Sequence, residues 1–195
     1  MHIFSYHARS HIPPQVDLAQ TIAQQFAFTT SSLPEVGRLL AVLTAACPRG
    51  RIGEIGTGCG VGTAWMASAL PTDATLITID TNADYVSAGR RLFADNPRIQ
   101  VLHGDWRELR TYAPFQLLFA DGGHAKAEHP NAVLDLLAPG GVIVLDDLTP
   151  EEYWPEEWQG QVDVTRQFWL TTTRVVATEI RVTERHAVII ATRIQ

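Results

Sequence analysis

A chain of 195 residues with 46 % hydrophobic residues and a mean hydropathy near zero can bury the core of one domain and calls for no second. With 15 basic residues against 21 acidic ones, the net charge is −6 and there is no long basic run, so a nucleic-acid backbone would find little counter-charge and no nucleic acid is expected as substrate. Cys47 and Cys59 are too few for a disulfide framework and suit a reducing cytosol, and neither a signal peptide in Met1-His2-Ile3-Phe4-Ser5-Tyr6-His7 nor a bilayer-spanning apolar run is expected, which points to a cytoplasmic protein away from membranes.

In chain order, Val16, Leu18, Ala19, Ile22, Ala23 and Phe26 predict a helix from about Gln15 to Phe28, after the Pro13-Pro14 break. Ser32-Leu33-Pro34-Glu35 has the spacing of a capping box, and Val36, Leu39, Leu40 and Leu43 then recur at helical intervals up to Cys47-Pro48. Residues 1–48 are thus expected to be leading helices of the same domain whose core is 49–195. From there the pattern alternates: strand Arg51 to Ile55, helix Gly62 to Leu70, strand Thr75 to Ile79, helix Ala83 to Asp95, strand Ile99 to Leu102. It continues with strand Phe115 to Ala120, helix Lys126 to Leu137, a turn at Pro139-Gly140-Gly141, and strand Val142 to Leu145. Short apolar strands alternating with amphipathic helices imply a doubly wound α/β domain, its mostly parallel sheet covered on both faces. After Pro150 comes an acidic, aromatic stretch read as an ordered loop or short helix over the sheet's carboxyl edge. A helix around Val162 to Leu170 and two β-rich runs, Arg174 to Val182 and His186 to Ile194, then predict a C-terminal antiparallel hairpin, making seven strands in all.

The most informative stretch is Glu54-Ile55-Gly56-Thr57-Gly58-Cys59-Gly60-Val61-Gly62, between the first strand and its helix. Alternate glycines let the backbone turn sharply and approach a ligand closely, and the next helix presents free N–H groups. The dinucleotide pattern fails in both frames, because its last position is Val61 counted from Gly56 and Thr63 counted from Gly58. Glu-x-Gly-x-Gly-x-Gly instead resembles motif I of the class I S-adenosylmethionine-dependent methyltransferases. That resemblance implies a Rossmann-like sheet ending in an antiparallel hairpin. It places the methionine carboxylate on backbone N–H groups around Gly56, Thr57, Gly58 and Gly60, with Glu54 and Thr63 lining the loop.

Ligands of open α/β sheets bind beyond the carboxyl ends of the strands, and four of these ends carry aspartate. Asp80 follows the second strand, where a carboxylate can accept both hydroxyls of a ribose; Asn82 is the better placed cap for the helix at Ala83. After the third strand comes His103-Gly104-Asp105-Trp106; in the resembled family an aspartate here accepts from the adenine amino group, and Trp106 lies either along the adenine or in the core. Asp121 follows the fourth strand in Asp121-Gly122-Gly123-His124, and Asp146-Asp147 follow the fifth. Parallel neighbours lie about 5 Å apart, so these three carboxylates would converge and require a cation or a proton. Oxygen donors favour Mg²⁺ or Ca²⁺. Alternatively, Asp146-Asp147 cap the next segment or bond the cofactor's methionine part.

From about Ser31 to Leu148 the chain resembles the cation-dependent O-methyltransferases of the catechol and caffeoyl-CoA type and their relatives, with Pro34-Glu35-Val36-Gly37-Arg38-Leu39-Leu40 similar to the helix before their first strand. The resemblance implies S-adenosylmethionine, a magnesium ion on Asp121, Asp146 and Asp147, and a small hydroxylated acceptor. Catechol-type members carry lysine three residues after the first metal aspartate, whereas this chain has His124, as some sugar-directed and antibiotic-tailoring relatives do. His124 is a general base, a metal ligand or a helix cap; Lys126 is expected to be a solvated first-turn residue. Trp154, Trp158 and Tyr153 form either an aromatic wall for the acceptor or a lid without specificity. The leading helices often build dimer contacts in similar enzymes, and a homodimer is expected. Metal-independent methyl transfer, an NAD-linked oxidoreductase and a non-catalytic binding module remain the rival readings.

Overall fold

The computed structural model describes residues 11–122 and 124–195; the N-terminal heptapeptide and Gly123 lie outside them. Two helices, α1 (Pro14–Gln25) and α2 (Pro34–Ala45), precede an alternation of β1 (Arg49–Ile55), α3 (Val61–Ser68), β2 (Asp73–Asp80), α4 (Ala83–Leu92) and β3 (Ile99–His103). Then come β4 (Phe115–Ala120), the short helices α5 (Ala125–Glu128) and α6 (Pro130–Leu134), β5 (Leu137–Leu148), α7 (Val164–Thr171), and the hairpin strands β6 (Val175–Thr183) and β7 (His186–Arg193). The seven strands form one sheet in the order β3-β2-β1-β4-β5-β7-β6. β1 to β5 are parallel, and β7 runs antiparallel between β5 and β6. This is the expected doubly wound sheet with a C-terminal hairpin. Among the described residues no helix is long and apolar enough to cross a membrane.

Strands β1, β2, β4 and β5 read as near-continuous apolar runs because both faces are covered. One core layer packs α1, α2 and α3 against Ile52, Leu76, Leu117, Phe119 and Val144. The other holds Ile55, Ile79, Leu118, Leu145 and the fully buried Trp169. Strand order reverses between β1 and β4, and the crevice at that switch point is where such sheets bind ligands.

Three local expectations are corrected. The capping box at Ser32 does not form: Leu33 occupies the cap with no side-chain bond, and Pro34 starts the helix with its ring already holding a helical φ. Ser32 Oγ instead lies 3.5 Å from Asp121 Oδ2. The single helix predicted from Lys126 to Leu137 is broken at His129, which leaves helical geometry (φ −132°, ψ 44°) because Pro130 follows it. Pro139-Gly140-Gly141 is no turn but part of β5, where a register shift against β4 absorbs it.

Candidate active site

The loop between β1 and α3 turns through three glycines with positive φ, and Gly60 caps α3 in the left-handed region. Its backbone is tied down more than the sequence suggests. Gly56 and Thr57 N–H both donate to the Ile79 carbonyl, Gly58 N–H donates to Asp80 Oδ2 at 2.8 Å, and Gly60 N–H donates to the Thr57 carbonyl. The N–H groups expected to hold a ligand carboxylate are therefore engaged within the protein. The first-turn donors of α3, at Val61 and Gly62, are the ones without intrahelical partners, and both residues line the adjoining cavity.

That cavity, about 290 Å³, is also lined by Glu54, Asp80, Asp121 and Asp147. Phe28, Thr30, Ser31, Ser32 and Tyr85 complete it, and sequence reasoning missed all five. The hydroxyl-rich Thr29-Thr30-Ser31-Ser32 linker was the available signal. Phe28 and Phe26 hold Tyr85 edge-on at 5.2 and 5.6 Å between ring centres. A second cavity of about 360 Å³ shares Gly56, Asp80 and Gly122 and is lined by Asp105, Trp106, His124 and His129. The two meet at Asp80. Its carboxylate is held in place by N–H groups of Gly58 and Asn82, while Asn82 caps α4.

Glu54 is fully buried, and Thr63 Oγ1 donates to it. Burial pushes its carboxyl up to about 8, against the pull of hydrogen bonds from Thr63 and Thr78. The folded protein thus keeps a proton that the unfolded chain releases. Stability from this group is whole below the ordinary glutamate range and is lost as pH rises through about 8. Asp121 acts with the same sign. Thermal melts from pH 5 to 8.5 are expected to show Tm falling with pH, with a shallower fall in Glu54→Gln; parallel curves would refute the protonated Glu54.

Asp105 caps the 3₁₀ turn Trp106–Thr111 and also pairs with Arg107 at 3.0 Å. The Arg107 backbone N–H, then its guanidinium, hold the carboxyl below the usual range. Trp106 is partly buried against the second core layer, its ring centre 6.0 Å from that of His129. His124 stands at the α5 cap position without a capping bond; its side chain is 86 % exposed, with Nδ1 3.4 Å from Glu128.

At the ends of β4 and β5 the carboxylates do gather. Burial, then the charges of Asp147 and Asp146, push Asp121 up to about 9. Asp146 is buried and lies 2.6 Å from His186 Nε2 on β7. Among the described residues, Asp146, Asp147 and His186 form the group of potential metal donors whose ligand atoms all lie within 4.8 Å of one another. Lys126 is not solvated as expected. It is buried, and its Nζ donates to the Asp146 carbonyl at 2.5 Å and approaches the Ala120 carbonyl at 3.5 Å. An ammonium survives burial there because carbonyls and neighbouring carboxylates replace its water.

Asp147 also lines a further cavity of about 330 Å³, walled by Lys126, Trp154, Trp158 and Arg166. Two 3₁₀ turns, Glu151–Tyr153 and Glu156–Trp158, carry these tryptophans, whose rings meet edge to face at 6.5 Å. Tyr153 turns away from that wall: its hydroxyl donates to Glu184 at 2.7 Å, and Arg185 lies over its ring. Glu152 pairs with Arg181, and Arg166 bonds Asp163, Glu179 and the Thr149 carbonyl. The segment is thereby strapped to the β6-β7 hairpin.

Residues 54–148 match the family described as a methyltransferase domain. The Mycobacterium tuberculosis protein called "Probable O-methyltransferase" is 32 % identical over 122 residues, and a similarly named Mycobacterium avium protein is 34 % identical over 122 residues. The matched segment covers 57 % of this chain and 54 % of either relative, so the chain spans about half the length of the curated relatives it matches. Two solved structures share the fold over nearly the whole chain. The O-methyltransferase TomG from Streptomyces achromogenes, involved in tomaymycin synthesis and solved with S-adenosylmethionine, superposes with a TM-score of 0.81 at 20 % identity, covering 97 % of this chain and 93 % of its own. An O-methyltransferase from Bacillus cereus solved with S-adenosylhomocysteine gives 0.81 at 19 % identity, covering 96 % of this chain and 94 % of its own. With the glycine-lined switch-point crevice and the antiparallel last strand, these matches place the chain among the class I S-adenosylmethionine-dependent methyltransferases.

Proposed function

We propose that this protein transfers the methyl group of S-adenosylmethionine to a hydroxyl of a small molecule, with a divalent cation helping to deprotonate that hydroxyl. The observation that carries the proposal is Asp147, a single carboxylate that lines both the glycine-loop cavity and the tryptophan-walled one. Donor and acceptor sites thus share a wall that carries the charge needed at the reacting oxygen.

In this reading the α3 N-terminus receives the methionine carboxylate, Asp80 the ribose, and the cavity beside Trp106 the adenine. The donor set fits a divalent cation: Asp121 takes up a proton near neutral pH because of burial and the neighbouring carboxylates, and a cation relieves the same repulsion. A bound divalent ion supplies Lewis acidity that favours the deprotonated acceptor. Asp121, Asp146 and Asp147 would hold that ion. Trp154 and Trp158 orient the acceptor, and alignment for in-line displacement supplies the rest of the rate. His124 accepts the acceptor's proton, for which it must leave Glu128. Cys47 and Cys59, both free thiols, agree with a reducing cytosol.

Titration calorimetry with S-adenosylmethionine, with and without Mg²⁺, followed by labelled-methyl transfer to a panel of hydroxylated compounds, tests the proposal. Micromolar binding, turnover abolished by a chelator, and a His124→Ala variant with lowered kcat but intact cofactor affinity are expected. Binding without turnover would favour a non-catalytic module, and thermal stabilisation by NAD in place of S-adenosylmethionine would favour an oxidoreductase.

A further inference from the structure

The end of β5 departs from regular strand geometry where its two aspartates stand. Leu145 pairs with Ile189 and Leu148 with Ala187, so two residues of β5, Asp146 and Asp147, face the single Val188 of β7. This is a β-bulge, and Asp147 adopts φ 62° within it. Successive side chains of a flat strand point to opposite faces; the bulge re-aims the pair, and both carboxylates reach one site. His186, the first residue of β7, enters from across the ladder. Its Nε2 lies 2.6 Å from Asp146 Oδ1, and a ligand atom from each of Asp146, Asp147 and His186 lies within 4.8 Å of the others. Donors about 2.1 Å from a shared ion stand roughly 3 to 4.3 Å apart in octahedral geometry, so this spacing accommodates one ion.

We propose that His186 is a nitrogen ligand of the cation site, giving it a mixed nitrogen and oxygen donor set that prefers Mn²⁺ and its borderline neighbours to Mg²⁺. The proposal rests on the cation reading above and adds to it a residue from the hairpin. Imidazole suits the later first-row ions, while an all-oxygen set suits Mg²⁺ and Ca²⁺. On ion entry the hydrogen bond between His186 and Asp146 gives way to two bonds to the ion. Asp146 is buried, His186 half-buried and Asp147 exposed, so the site opens on one side toward the acceptor cavity.

The test uses chelator-treated full-length protein and Mn²⁺ or Mg²⁺ alone, by titration calorimetry and pulsed electron paramagnetic resonance. The expected results are ¹⁴N coupling to bound Mn²⁺ in the wild type, its loss in His186→Gln, and a fall in Mn²⁺ affinity of about 10- to 100-fold with a smaller change for Mg²⁺. Mn²⁺ binding without ¹⁴N coupling would overturn the histidine ligand and leave the cation reading standing; no Mn²⁺ binding by the wild type would overturn both. His186→Gln can still donate to Asp146. If it fails to fold, the wild-type spectrum alone decides.

Discussion

Asp147→Ala is expected to lower kcat for methyl transfer by about a thousandfold, roughly 4 kcal/mol, while the affinity for S-adenosylmethionine changes less than about threefold. The asymmetry follows from where the carboxylate sits. Asp147 closes the outer end of the glycine-loop cavity and opens onto the tryptophan-walled one, beside Asp121. Its loss removes charge from the acceptor oxygen's surroundings without touching Asp80 or the α3 N-terminus. Alanine at φ 62° also carries strain of about 1 to 2 kcal/mol, which Asp147→Gly does not. The glycine variant should therefore show the same kcat with a higher Tm. Steady-state kinetics at saturating cofactor, with melts on all three proteins, would separate chemistry from backbone; an undiminished kcat in both variants would remove Asp147 from the mechanism.

Gly56→Ala should weaken S-adenosylmethionine binding at least 100-fold, about 2.7 kcal/mol, and lower Tm by several degrees. Gly56 has φ 92°, and an added Cβ would lie 2.7 Å from the backbone nitrogen of Gly122 and 2.8 Å from its Cα. Backbone cannot swing aside as a flexible side chain does. The loops after β1 and β4 would have to part at the point where the two cofactor cavities join. Gly140→Ala is the matched control, with φ 77° but nothing within 4 Å of the new methyl group. It bears the conformational strain without the collision. Calorimetry on the three proteins reads the difference, and equal affinities would mean that this loop does not bind the cofactor.

Much of the architecture was legible because the strands are short and apolar and Gly or Pro separates the elements, so local periodicity reports it directly. The carboxyl-edge rule then picked out Asp80, Asp121, Asp146 and Asp147, all of which line or adjoin the observed cavities. What escaped depends on contacts distant in sequence. His186 is 40 residues from Asp146, and only the hairpin's insertion beside β5 joins them. Lys126 looks like a surface residue until the break at His129 shortens its helix and lays it over the strand ends. Ser32 has the right neighbours for a capping box, but Pro34 starts the helix without its help. The glycine loop was recognised as a ligand loop, yet spacing alone could not reveal that the Ile79 carbonyl and Asp80 consume its amides.

The tethering of the tryptophan segment to the hairpin bears on how acceptor preference could be transplanted. Glu152, Tyr153 and Asp163 find their partners in Arg181, Glu184 and Arg166, outside the segment that forms the wall. A chimera exchanging only residues 149–163 with another enzyme would import a wall whose moorings stayed behind in the donor. Productive recombination has to move the β6-β7 turn along with it, which makes two stretches far apart in the chain a single unit of inheritance.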